Sequence, residues 1–173
     1  DIKQCIYFEQ TVSVSDGVLI EDNYCVSHPG TGNGAGPIVC GATNSIVRRN
    51  YAEGGVVAIA IGVGGLCYSN IAVGPAGRGI DASSTSTSFF NTVVQTGVQN
   101  TQTLSVGIRA NSGTTGVLIF NNALIGWFNS ISGPTGSLTE NNNGFATQGG
   151  TPAHVRINGV ITAPNSAVID TYA

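Results

Sequence analysis

The chain has 173 residues, is 41% hydrophobic and only 9% charged, and carries a net charge of −3 with 25 glycines and no methionine. Its few basic residues are scattered and Lys3 is the sole lysine, which excludes the clustered basic surface that a nucleic-acid partner requires. No apolar run approaches the ~18 residues of a membrane span, and the four cysteines follow no metal-ligand spacing.

The length suffices for one domain with a real core. A composition rich in Gly, Asn, Ser and Thr and poor in charge suits an all-β chain with many turns. The chain starts at Asp1 without a signal-type segment, so a mature product or a piece of a longer chain is expected.

Residues 1–17 read as an opening strand or N-terminal cap, with Ile6/Phe8 and Val12/Val14 alternating. From residue 18 a phrase repeats: VLIEDNYC at 18–25, SIVRRNYA at 45–52, GLCYSNIA at 65–72, TSFFNTVV at 87–94, GVLIFNNALIGW at 116–127 and SLTENNNG at 137–144. Aligned, they place Asn23, Asn50, Asn70, Thr92, Asn122 and Asn142 in one column, in steps of 20 to 30 residues. Periods of that size mark a solenoid, in which each repeat buries its apolar face against its neighbours.

The column three residues before this anchor holds Ile20, Val47, Cys67, Phe89, Ile119 and Thr139; the column two after it holds Cys25, Ala52, Ala72, Val94, Leu124 and Gly144. Both are mostly apolar or small, as inward positions at a period of two should be. An asparagine between them belongs at a corner, where its amide bonds the backbone of its own turn and the amide of the next coil. Leaving such groups unpaired costs about 1–3 kcal/mol each. A second strand per coil follows at residues 38–40, 57–61, 78–82, 106–110 and 127–131. If Ile80 and Ile108 share a layer position, Asp81 and Arg109 are vertical neighbours outside. Length variation falls on loops 27–37 and 95–105, and residues 162–173 form a C-terminal tail or cap. Cys67, where other repeats carry Ile or Val, reads as a small buried hydrophobe. Cys25 and Cys40 flank the first long loop, where a disulfide between them would staple it.

The h-x-x-N-x-h phrases, covering residues 18–161, resemble the right-handed parallel β-helix superfamily of pectate-lyase-like enzymes, phage tailspikes and fibres, and secreted surface proteins. The expected fold is therefore an all-β, right-handed parallel β-helix of about six to seven coils with an asparagine ladder. A β-sandwich explains the strand count but gives no cause for one asparagine per period. The resemblance implies an extracellular or virion-surface location.

By parity the residues two before the anchor (Glu21, Arg48, Tyr68, Phe90, Phe120, Glu140) face outward. So do Leu19, Ile46, Leu66, Ser88, Leu118 and Leu138, four before it. A leucine stripe beside aromatics is unexpected in water. A cover by the opening strand, a loop or another subunit explains it. So does self-association as a trimer or filament through Leu19, Ile46, Leu66, Leu118 and Leu138; the tailspike resemblance brings trimers to mind. Other readings are a glycan platform of Tyr68, Phe90 and Phe120, or a reversed parity with these residues in the core.

Glu21 and Asp22 lie one coil from Arg48 and Arg49, which suits cross-strand ion pairs worth about 0–1 kcal/mol each when exposed. With Glu53 they are also the candidate catalytic residues for polysaccharide cleavage, since glycosidases need two carboxyls roughly 5–9.5 Å apart. Pectate-lyase-like sites resemble clusters of Asp around Ca²⁺ beside a basic residue. Nothing here has that density, so no metal and no cofactor is expected. His28 and His154 are isolated, and the TGNGAG loop at 31–36 lacks the lysine and helix of a nucleotide loop. A noncatalytic structural or adhesive module that contacts glycans is therefore favoured over a polysaccharide lyase or hydrolase and over a filament subunit.

Overall fold

The computed structural model describes residues 5–8, 16–27, 36–74, 77–96, 105–127, 129–146, 153–157 and 160–162, the last two stretches by backbone alone. His28, loop residues 31–35 and 97–104, and the tail beyond 162 lie outside the described residues, as does the side chain of His154.

Each coil contributes three short strands. The first holds β1 (Ile6–Phe8), β2 (Leu19–Glu21) and β3 (Tyr24–Ser27); the second holds β4 (Ile38–Cys40), β5 (Ile46–Arg48) and β6 (Tyr51–Gly54). The third holds β7 (Val57–Ile61), β8 (Leu66–Tyr68) and β9 (Ile71–Gly74); the fourth holds β10 (Arg78–Ala82), β11 (Thr87–Phe89) and β12 (Thr92–Gln95). The fifth holds β13 (Val106–Ala110), β14 (Val117–Phe120) and β15 (Ala123–Ile125); the sixth holds β16 (Asn129–Gly133), β17 (Leu138–Asn141) and β18 (Gly144–Ala146). A last strand, β19 (Ala153–Ile157), extends the first sheet and turns back antiparallel into β20 (Val160–Thr162).

Equivalent strands pair in parallel into one eight-stranded and two six-stranded sheets, here sheets 1, 2 and 3 in the order the coil visits them. The chain is a parallel β-helix. The opening segment supplies its first rung, because β1 pairs with β4 in parallel, as the later rungs of sheet 1 do up to β19.

The interior is built from stacked rows. In sheet 1 a row of isoleucines, Ile38, Ile59, Ile80, Ile108 and Ile131, is fully buried rung over rung. Sheet 2 turns Ile20, Val47, Cys67, Ser88, Ile119 and Glu140 inward; sheet 3 turns Cys25, Ala52, Ala72, Val93, Leu124 and Phe145 inward. Cys67 is a buried residue, as expected of its column.

The corner between sheets 2 and 3 is two residues long. Its second residue is the ladder asparagine, and the ladder runs through Asn23, Asn50, Asn70, Asn91, Asn122 and Asn143. Both the backbone N–H and Nδ2 of each donate to the Oδ1 of the next at 2.9–3.0 Å. From Asn50 onward Nδ2 also donates to a sheet 2 carbonyl of the preceding coil, at Ile20, Val47, Cys67, Ser88 and Ile119. The corner's first residue takes a left-handed backbone at φ 53–59°, in Asp22, Arg49, Ser69, Phe90, Asn121 and Asn142.

This corrects two repeats. Asn91, not Thr92, and Asn143, not Asn142, carry the ladder; Asn142 is instead the left-handed residue before it. Since strand side chains alternate, a slip of one reverses every face in that repeat. Ser88 therefore points in and Phe89 out; Val93 replaces Val94 inside, Phe145 replaces Gly144, and Glu140 replaces Thr139.

Trp127 is a second correction. It stands outside the sheet 1 strand, fully buried, with its indole N–H donating to the Val93 carbonyl at 3.0 Å. A Cβ added to Gly79 or Gly107 would meet its ring at 3.2 Å, and one at Gly74 would meet it at 2.7 Å. The missing side chains make room for the largest aromatic of the core.

Candidate functional site

The outer wall made by sheets 2 and 3 is where the expected site residues fall. Its first row is Leu19, Ile46, Leu66, Thr87, Leu118 and Thr139. Leu19, Leu66 and Leu118 are exposed. Leu138, expected on this stripe, pairs with Val117 instead and packs against the core, leaving Thr139 outside. The reason is the same one-residue slip in the sixth repeat.

The second row is Glu21, Arg48, Tyr68, Phe89, Phe120 and Asn141. Phe89 thus takes the middle place expected of Phe90. The rings of Tyr68 and Phe89 stack at 4.8 Å, and those of Phe89 and Phe120 at 5.2 Å with planes 8° apart. Parallel rings at that spacing cover one another's faces and present mostly edges to solvent. Phe90 projects from the corner, 59% exposed, with its ring edge-on to Phe89 at 5.5 Å. Of the three aromatics expected to form a platform, Tyr68 and Phe120 belong to the stack and Phe90 stands beside it.

Across the corner, Tyr24, Tyr51, Ile71, Thr92 and Ala123 form the next row. Tyr24 is 75% exposed and stacks on Tyr51 at 4.8 Å; Ile71 and Val26 are exposed as well. Leucine and aromatic side chains therefore line two adjoining sheets, an apolar wall interrupted by Thr87, Thr92 and Thr139 and, in its second row, by Glu21, Arg48 and Asn141.

Charge gathers at the N-terminal end of this wall. Arg49 grips Asp22 through two bonds, Nε to Oδ1 at 2.8 Å and Nη2 to Oδ2 at 2.7 Å, and also reaches Glu21 at 2.8 Å. Arg48 donates to Glu21 at 2.7 Å and to the Tyr68 hydroxyl at 2.9 Å. Glu53 accepts a bond from the Tyr51 hydroxyl at 2.6 Å. The hydrogen-bonded Arg49 guanidinium holds Asp22 below its ordinary carboxylate range. A general acid that protonates a glycosidic oxygen needs the opposite shift. The expected catalytic candidates Glu21, Asp22, Arg48 and Arg49 are thus brought together, but as partners of one another.

Sheet 1 carries a second polar cluster. Asp81 and Arg109 are vertical neighbours, as expected, joined by two bonds at 2.9 Å, and Arg78 adds a third at 2.8 Å. Arg109 also donates to Asn111 at 2.6 Å. Beside it runs a groove of about 350 Å³ lined by Val39, Ala60, Val63, Asp81, Ser83 and Asn111. Its one carboxylate is already held by two guanidiniums. Among the described residues no group of three His, Cys, Asp or Glu is placed to hold a metal ion, and no helix is long and apolar enough to cross a membrane.

No family model matches the chain, and neither a curated protein nor a solved structure matches it.

Sequence reasoning missed Phe89, the stack's central ring. The signal was present: counting back from Asn91 rather than Thr92 puts Phe89 in the outward row.

Proposed function

We propose that this chain is a structural and adhesive module built in the manner of the right-handed parallel β-helix superfamily, displayed on a virion or in the extracellular space. The observation that carries this reading is the apolar wall of sheets 2 and 3, where Leu19, Leu66, Leu118, Tyr24, Ile71 and Phe90 are all exposed. A contiguous apolar surface of this kind on a soluble fold marks an interaction site. Its ring stacks and ladders are already ordered, so little side-chain freedom is lost when a partner covers it. A second copy presenting the same wall is the occupant that gives a trimer or a filament.

The test is sedimentation velocity and mass photometry on the native chain beside Leu66→Asp and Leu118→Asp. The expected outcome is an oligomer in the native chain and dissociated particles in both variants, with an unchanged β-type circular dichroism spectrum. A native chain that stays monomeric at high micromolar concentration sinks the assembly reading.

Contact with a glycan is favoured by one feature, the Phe90 ring, whose exposure leaves a face for a sugar to lie on. Phe90→Ala then weakens retention on a glycan array, whereas Tyr68→Ala leaves retention unchanged because its ring is stacked.

A further inference from the structure

The first rung of sheet 1 is a short edge strand. β1 has three residues and one neighbour in its sheet, β4, and its Tyr7 and Phe8 side chains are exposed. Its ends are held by the N–H groups of Cys5 and Ile6 on the Pro37 carbonyl and by the Gly41 N–H on the Phe8 carbonyl. Cys5, just before this strand, turns its sulfur toward sheet 3. Its thiol donates to the carbonyl of Val26 at 3.7 Å, the residue that follows Cys25 in β3. Cys5 is exposed and Cys25 is buried. The other two cysteines are buried elsewhere: Cys40 in the sheet 1 row beside Ile61, and Cys67 against the amides of Asn70 and Asn91. All four are free thiols here. The thiol that lies against the strand of Cys25 is therefore that of Cys5, rather than that of the Cys40 expected from the loop between them.

We infer that Cys5 and Cys25 are the two halves of a native disulfide that fastens the first rung of sheet 1 to the wall of sheet 3. The oxidant is a small-molecule disulfide such as oxidised glutathione. The exposed Cys5, as thiolate, attacks one sulfur of that disulfide, forms a mixed disulfide and expels one thiolate. Cys25 then loses its proton to solvent and attacks the Cys5 sulfur, forming the S–S bond and expelling the second thiol. Two protein thiols are oxidised, one external disulfide is reduced to two thiols, and no further reactant is needed. Burial, reinforced by the neighbouring Cys5 thiol, pushes Cys25 up to about 11. Ring closure therefore speeds up with pH, by about tenfold per unit below that value. The bond joins two sheets at the end of the stack, where fraying starts.

The experiment incubates the folded chain with oxidised glutathione, blocks the remaining thiols, and counts them by intact mass and peptide mapping. The native chain, Cys40→Ser and Cys67→Ser each lose two thiols, and a cross-linked peptide joins Cys5 to Cys25. Cys5→Ser and Cys25→Ser form no intrachain link. Oxidation slows amide exchange at Ile6 and Tyr7 in the native chain and leaves it unchanged in Cys5→Ser, whose exposed site keeps the comparison valid even if Cys25→Ser does not fold. Four thiols surviving oxidation, a Cys25–Cys40 peptide, or a covalent dimer through Cys5 would each overturn the inference.

Discussion

At the scale of single residues, each buried ladder asparagine is held by several hydrogen bonds at once. Asn70 accepts from the backbone and side chain of Asn50, donates to Asn91 and to the Val47 carbonyl, and is buried. Asn70→Ala strands several buried partners at once, so a loss of about 3 kcal/mol is expected in chemical denaturation. Asn23, half-exposed at the ladder's end, should cost less than about 1 kcal/mol on the same change, because water replaces its partners. Equal losses at the two positions would contradict the ladder as the source. Cys67 gives a pH test. Burial pushes its thiol from 9.0 up to about 12, against a weaker opposing bond from Asn70. The folded state thus favours the neutral thiol. Its contribution is intact below pH 9 and is lost as pH rises toward 12, because only the unfolded chain ionises in that window. Cys67→Ala should cost about 1 kcal/mol at pH 7 and flatten the decline in melting temperature between pH 9 and 12.

At the scale of strands and corners, the sequence was legible where the repeat was regular. Ile20, Val47 and Cys67 fall inward and Leu19, Ile46 and Leu66 outward because Asn23, Asn50 and Asn70 fix the phase unambiguously. Legibility failed where an asparagine had a rival. The run Asn141–Asn142–Asn143 offers three anchors, and only burial of Phe145 selects the last. At Phe90 a bulky side chain sits on a left-handed backbone that favours Gly, Asn or Asp, so the corner carries no turn signal. The place of the Cys5 thiol beside β3 was hidden for another reason: it joins segments of different sheets, and a repeat alignment reports only vertical neighbours. Sheet 1 was read correctly in β4, β7, β10 and β13 but not in β16, where Trp127 was placed in the strand; Gly79 and Gly107 leave the room that its ring fills. These glycines make their own prediction. A methyl at Gly79 would lie 2.1 Å from Val93 Cγ1 and 2.6 Å from the Gly107 carbonyl oxygen. Gly79→Ala should destabilise by about 1–3 kcal/mol. Val93→Ala in the same chain should recover part of that, since it removes the nearer clash. Additive losses in the double variant, measured by calorimetry, would show that Val93 is not the obstacle.

At the scale of the whole molecule, a coil touches only the coils beside it. Ile108 illustrates this, stacked between Ile80 of the fourth coil and Ile131 of the sixth and buried by both. In such a stack stability is close to a sum of coil terms and nearest-neighbour interfaces, so damage is felt locally first. Ile108→Ala removes part of two interfaces, and a cost of about 2–4 kcal/mol is expected. The pattern of amide exchange distinguishes this from a globular core. Protection should fall in β10, β13 and β16 and in the neighbouring strands β12 and β15, while β4 and β5 keep most of theirs. A globular domain would lose protection everywhere by the same amount, because every amide would open through one global transition. Uniform loss in the variant would mean that the six coils unfold as one unit, and that the wall of sheets 2 and 3 couples them more tightly than vertical stacking does.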